Sequence, residues 1–102
     1  MKLKWTLAIL LAAGGAATAQ DKEALYVKSL AATCANCHGT TGRAFEGATV
    51  VSLAGQPRDV LLTQLKAFKA GTRPATIMHQ IAKGYSDAQL ETLATYFAAQ
   101  KK

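Results

Sequence analysis

Two cysteines and a histidine stand together at Cys34-Ala35-Asn36-Cys37-His38. A thiol pair in C-x-x-C spacing, with an imidazole directly after it, makes the pattern of covalent c-type haem attachment. Each thiol can add to one vinyl group of a haem, and the histidine then lies under the iron as proximal axial ligand. Other chemistries use parts of the same set. A thioredoxin-like pair would need βαβ units, and no strand–helix alternation is legible in the chain. A zinc site could draw on Cys34, Cys37, His38 and His79. Its usual C-x-x-C…H-x-x-x-H spacing is missing, and adjacent Cys37 and His38 fit a tetrahedron poorly. A plain disulfide is the third reading. Haem attachment is favoured because the remaining features of the chain agree with it.

A haem iron held by His38 has one further axial position. Met78 is the only methionine after the initiator, and lies forty positions after His38 between Ile77 and Ile81. A thioether there gives six-coordinate, low-spin iron and a higher potential than bis-histidine ligation. Three other arrangements stay open. Met78 could be a core filler, His79 could ligate instead, or the position could be vacant.

The elements that must position these ligands all read as helices. Residues 22–35 form the first, with Asp21 as N-cap and Val27, Leu30 and Ala31 on one face; it runs straight into the haem motif. Residues 39–56 read as a loop, broken by glycines and threonines, with Val50, Val51 and Leu53 as its apolar contribution against the porphyrin. A short strand at residues 49–51 is the alternative. Residues 57–70 form the next helix, opened by Pro57, carrying Leu61, Leu65 and Phe68 at helical spacing and ended by Gly71. Pro74 starts a short helix to about Lys83, with Gly84 as its stop. Ser86 opens the last helix, with Gln89 completing a capping box and Leu90, Leu93, Ala94 and Phe97 as its apolar stripe. The fold class expected is all-α, wrapped around one covalent haem.

The chain has 102 residues, enough for one small domain. Its opening Met1-Lys2-Leu3-Lys4 is basic, the run Leu7–Ala13 is apolar, and Ala17-Thr18-Ala19 is an A-x-A cleavage site. This is the layout of a secretory signal peptide over residues 1–19, too short in its apolar run to span a membrane; an uncleaved N-terminal anchor is the alternative. Residues 20–102 are then the mono-haem domain, and the expected address is the periplasm. Cleavage leaves ten basic and six acidic side chains, a net of +4. That moderate charge, without a nucleic-acid motif, argues against nucleic-acid binding. It is compatible with a basic face for an acidic partner or with an ordinary solvated surface. So small a chain buries a modest core by itself, so the haem-free chain is expected to be largely unfolded or molten.

With these residues in place the whole mature stretch resembles the small class I cytochromes c. Closer stretches are Ser52-Leu53-Ala54-Gly55-Gln56, Gln64-Leu65-Lys66-Ala67-Phe68-Lys69-Ala70-Gly71, and Arg73–Met78 with Ile81–Asp87. They look like the cytochrome subunit of flavocytochrome c sulfide dehydrogenase. That resemblance implies crossing terminal helices, with Val27 and Leu30 meeting Leu93, Tyr96 and Phe97. It also implies that the chain accepts electrons from a separate FAD subunit that oxidises sulfide. Relatives often carry Gly-Pro in the loop, and another proline just before Ser-Leu-Ala-Gly. This chain has Gly47-Ala48 and Val51-Ser52 instead. In that family a backbone carbonyl at the Gly-Pro site accepts the proximal histidine's N–H. The resemblance therefore points to a carbonyl near Gly47 or Ala48.

The function expected is single-electron transfer by a periplasmic mono-haem cytochrome, not an enzyme on its own. It would serve as the acceptor subunit of a flavoprotein sulfide dehydrogenase. A freely diffusing carrier for an oxidase or reductase is the alternative, and a haem enzyme or sensor with an open sixth position is the alternative of another class. Lys66, Lys69, Arg73 and Lys83 group along the ligand-side segments. The uncharged run Pro74–Met78 beside them is the expected docking face for an FAD protein.

Overall fold

The structure, a computed structural model, describes residues 19–102. The expected signal peptide therefore lies outside the described residues except for Ala19. Four helices follow in order: α1 (Ala19–His38), α2 (Arg58–Ala70), α3 (Met78–Ala82) and α4 (Asp87–Ala98). No strand occurs among the described residues, so residues 49–51 are loop.

Helix α1 is longer than expected at both ends. Asp21 lies inside its first turn, where a carboxylate opposes the positive helix end, and does not cap it. At the other end nothing breaks the helix before Gly39, so the whole C-x-x-C-H run is helical. Gly39 stops it with φ 92. A Cβ there would sit 1.9 Å from the Arg43 carbonyl oxygen, so only glycine allows the chain to double back at this point.

The segment from Gly39 to Pro57 is a loop closed on itself. The Gly42 carbonyl accepts from the N–H groups of Leu53 (2.7 Å) and Ala54 (3.1 Å). The Gly55 N–H donates to the Phe97 carbonyl at 2.9 Å, which ties the loop to α4. Gly42 is buried, has φ +78, and lies against the Phe97 ring, 2.5 Å from where a Cβ would be.

Helix α2 starts after Pro57 and ends in a Schellman turn. Gly71, at φ 76, donates to Phe68, and Thr72 donates to Ala67 at 3.0 Å. The next helix is shorter than expected. Residues 74–77 are not helical, and α3 covers only five residues from Met78. Thr76 and Ile77 are β-branched and poor helix formers. Helix α4 begins as its sequence implies: Gln89 N–H donates to Ser86 Oγ at 3.1 Å, and Ser86 N–H donates to Gln89 Oε1 at 2.9 Å.

Helix α2 packs on α3 and on α4, and α1 packs on α4. The core cluster is Ala31, Leu61, Leu93, Ala94 and Phe97, with Leu30, Leu53, Leu65 and Tyr96 packed against it. The expected meeting of Leu30 with the α4 stripe is present. Side-chain ties brace the frame. Thr33 and Tyr85 share a hydroxyl hydrogen bond of 2.5 Å, and Lys69 Nζ donates to the Tyr85 carbonyl at 2.7 Å and to Asp87 at 3.1 Å.

Candidate cofactor site

The small core leaves room beside it. A cavity of about 450 Å³ opens between the end of α1, the loop, and helices α2, α3 and α4. Helix α1 brings Cys34, Cys37 and His38 to its wall, and α3 brings Met78 and Ile81. Because α1 packs on α4 and α3 on α2, the histidine and the methionine reach the cavity from different elements of the frame. His79 does not line it; its Nδ1 is buried and has no hydrogen-bond partner among the described residues. Among the described residues no three His, Cys, Asp or Glu side chains cluster as a metal-ion set, so the four possible zinc ligands do not converge.

His38 is buried, and its Nδ1 lies 2.8 Å from the Val51 carbonyl oxygen. A carbonyl only accepts, so Nδ1 carries the proton and donates. Nε2 is then the nitrogen left with a free lone pair for a metal, and the bond fixes the tautomer and orientation of the ring. The carbonyl expected near Gly47 or Ala48 is supplied instead by Val51. Gly42 explains the difference. By gathering the Leu53 and Ala54 N–H groups onto its carbonyl, it draws residues just before Leu53 alongside the end of α1. No proline is required for that.

Both cysteines are free thiols, Cys34 half-buried and Cys37 exposed. Burial pushes the Cys34 thiol up from its usual range, the Thr33 hydroxyl beside it pulls the other way, and Cys37 adds to the rise. Val50, Val51 and Leu53 line the cavity as expected of the loop, and so do Leu61, Leu65 and Phe68 of α2. Sequence reasoning did not single out Val60, Gln64 or Arg73 as cavity residues. Val60, Gln64 and Phe68 recur every four residues, which is a helical face, so the first two were within reach of a periodicity argument.

The residues present fit a haem. Seven large apolar side chains are exposed among the described residues, and four of them, Val50, Val51, Val60 and Ile77, stand around this cavity. Val51 is 65% and Ile77 57% exposed. Exposed apolar side chains grouped at one opening mark a surface meant to be covered. An imidazole, a thioether and two thiols are the donor set that haem c takes.

Comparison with known proteins agrees. The cytochrome subunit of sulfide dehydrogenase of Chlorobaculum tepidum is 36% identical over 73 residues, 72% of this chain and 64% of the relative. A thiosulfate dehydrogenase electron acceptor of Thiomonas intermedia is 41% identical over 71 residues, 70% of this chain and 33% of the relative. Cytochrome c-554(548) of Halomonas halodenitrificans is 33% identical over 92 residues, 87% of this chain and the whole of the relative. The chain thus spans less than two thirds of the first two and all of the third. No protein-family model matches it. An all-helical frame, a C-x-x-C-H helix end and full coverage of a cytochrome at this identity place the chain in one family: it belongs to the class I c-type cytochromes, which carry covalently bound haem c.

Proposed function

We propose that residues 20–102 carry single electrons between redox proteins on one haem c, bonded through Cys34 and Cys37 and ligated by His38 and Met78. The observation that supports this best is the convergence of the C-x-x-C-H helix end and the lone mature methionine on one apolar cavity. Bound there, haem c supplies a one-electron ferrous–ferric couple. The chain's own residues do the rest. The His38–Val51 bond holds the imidazole ring in one tautomer and orientation. Met78 would be the second protein ligand of the haem iron, which would keep oxygen or peroxide from it. Leu61, Leu65, Phe68 and Phe97 keep water from the apolar wall, which favours the less charged ferrous state. The relatives are cytochromes and cytochrome subunits, which supports reading the chain as an electron-transfer protein rather than an enzyme by itself.

The donor proposed is an FAD protein that oxidises sulfide. Likeness to a sulfide dehydrogenase cytochrome subunit supports it, and so does the surface. The uncharged Pro74–Met78 segment carries Ile77, which is exposed and stands at the cavity. An apolar patch over the methionine side suits a stable flavoprotein interface. The signal-like residues 1–19 support export to the periplasm, and no helix of the described residues is long and apolar enough to cross a membrane.

A second reading is a diffusing carrier. The likeness to a thiosulfate dehydrogenase electron acceptor supports other donors. The exposed Lys66 and Lys83 are outside the ion pairs that Arg58 and Lys69 make and are available for electrostatic steering. Size-exclusion with the candidate flavoprotein at low and ~0.5 M salt separates the two, since exposed charge pairs are screened at the higher value. Co-elution at both salts is expected of the permanent subunit. Dissociation in high salt, or separate elution at both, leaves the diffusing carrier.

A further inference from the structure

We infer that Tyr85 is a positioning residue for the methionine ligand: by bonding the chain just after α3 to the helix that carries the cysteines, it sets how readily Met78 leaves the iron. This rests on the Met78 ligation proposed above and on no particular redox partner. Met78 opens a helix of only five residues, and its N-cap residue Ile77 makes no side-chain capping bond. So short a helix has too few internal bonds to hold itself. Its place therefore depends on what ties the segment down at each end. On the near side, the Thr72 and Arg73 N–H groups donate to the Ala67 carbonyl at 3.0 and 3.3 Å, closing the turn after α2. On the far side the tie is Tyr85.

Tyr85 reaches three helices at once. Its ring is half-buried against the core cluster. Its N–H donates to the Ala82 carbonyl of α3 at 3.2 Å, and its carbonyl accepts from Lys69 Nζ of α2 at 2.7 Å. Its hydroxyl meets Thr33 Oγ1 of α1 at 2.5 Å. The direction of that last bond follows from its neighbour. The Thr33 hydroxyl already donates to the Leu30 carbonyl at 2.7 Å, and a carbonyl only accepts, so Tyr85 donates and Thr33 receives. Thr33 stands directly before Cys34, so the bond runs from the residue beside the first thiol to the residue that follows Gly84.

Helix packing alone joins the two ligand elements indirectly. Helix α1 packs on α4, α3 packs on α2, and α2 packs on α4, so the His38 side and the Met78 side meet through two intervening helices. The Thr33–Tyr85 bond shortens that route to one step. Thr33 is exposed, so both hydroxyls pass to water when the segment swings out. Such a bond adds little to the global fold. Its net worth is felt instead in the local opening that separates α3 from α1, and that opening is what frees the sulfur.

The test is imidazole binding to the haem-loaded ferric protein, followed by stopped flow. Imidazole can take the sixth position only after the sulfur has left, so at high imidazole the rate levels off at the rate of that departure. Tyr85→Phe keeps the ring and removes the hydroxyl, and the plateau should rise roughly two- to tenfold, the worth of one hydrogen bond. Thr33→Val should raise it to a similar degree. The double variant should go no further than either alone, because both remove one bond. Ser86→Ala takes stability from the α4 cap without touching the hydroxyl and should leave the plateau where it was. An unmoved plateau in Tyr85→Phe overturns the inference, and so does an equal rise in Ser86→Ala, which would mark general loosening. Should Tyr85→Phe fail to accumulate, Thr33→Val decides by the same outcomes. A high-spin ferric spectrum before any substitution, without the near-infrared band of sulfur ligation, would overturn the Met78 ligation and this inference with it. That result is distinct from an unmoved plateau in a protein whose band is intact.

Discussion

Two sides of this molecule are built on different terms. Along α4, Leu90, Leu93, Ala94 and Phe97 are all but sealed from water, covered by side chains of the same chain. Across the cavity, Val50, Val51, Val60 and Ile77 stand exposed. They are as apolar as the first set, yet the polypeptide alone leaves them between 37% and 65% exposed. The contrast shows what covalent attachment achieves. The apolar side chains around the cavity are left for the haem c that this family carries to cover.

The largest expected effect breaks that division outright. Replacing Cys34 and Cys37 with alanine leaves the chain without its covalent haem. Four exposed apolar side chains then remain uncovered, and the core left to hold four helices is only a small cluster of buried residues. We expect a largely unfolded or molten protein, checked by far- and near-ultraviolet circular dichroism. Full native helicity with native near-ultraviolet signal would show that the α4 side suffices.

The next pair of changes sharpens the comparison by striking each side alone. Leu90 is fully buried and does not line the cavity. Leu90→Ala should cost about 2–5 kcal/mol by denaturant unfolding, with the potential and spectrum of the folded fraction preserved. Met78→Ala should do the reverse. It removes a half-buried cavity residue, so the loss of stability is smaller, but the proposed sixth ligand goes. The ferric spectrum should turn high-spin, the potential should fall, and the ferrous protein should bind carbon monoxide. A persistently low-spin ferric spectrum would put another residue on the iron, His79 being the nearest in sequence.

Legibility in the sequence follows the same boundary. Helices α2 and α4 are readable because their signals are local: Pro57, Gly71, the Ser86–Gln89 box, and apolar stripes at helical spacing. The proposed haem ligands, which line one cavity, are readable because C-x-x-C-H and a lone methionine are chemically unusual. What eluded reading depends on the backbone in three dimensions. The His38 partner is a carbonyl, which every residue possesses, so no residue type marks Val51 for it. Arg73 is one cation among ten in residues 20–102, and only the Gly71 turn brings it over Phe68. The short α3 reflects competition between an acceptable helical composition and the β-branched residues at its start. The expected Asp21 cap failed because a plausible cap residue is equally at home in a first turn.

Gly42 joins the two sides, and its replacement ranks below the changes at Leu90. Its carbonyl gathers the Leu53 and Ala54 N–H groups, and so presents Val51 to His38. Gly42→Ala would place a methyl 2.5 Å from Phe97 Cδ1 at a φ of +78. Left-handed strain and overpacking together should cost about 1–3 kcal/mol. Because the loop carries the His38 acceptor, the potential should shift along with stability. A change in melting temperature with no change in potential would uncouple Gly42 from the ligand.

The smallest expected effect is also the cleanest control. Ser86 caps α4 by accepting from the Gln89 N–H at 3.1 Å, and it has no place on the cavity wall. Ser86→Ala removes that acceptor and leaves the Gln89 side chain still able to receive the residue-86 N–H. Loss of such a cap typically costs ~1 kcal/mol, which for a domain of this size lowers Tm by about 4–8 °C. The potential, its pH dependence and the near-infrared band should all remain as they were. The cap acts on the self-completed side, and nothing from it reaches the iron ligands except through the shared core. If Ser86→Ala did displace the potential, the two sides would be mechanically coupled through α4. The Leu90 and Met78 variants would then have to be read as perturbations of a single body.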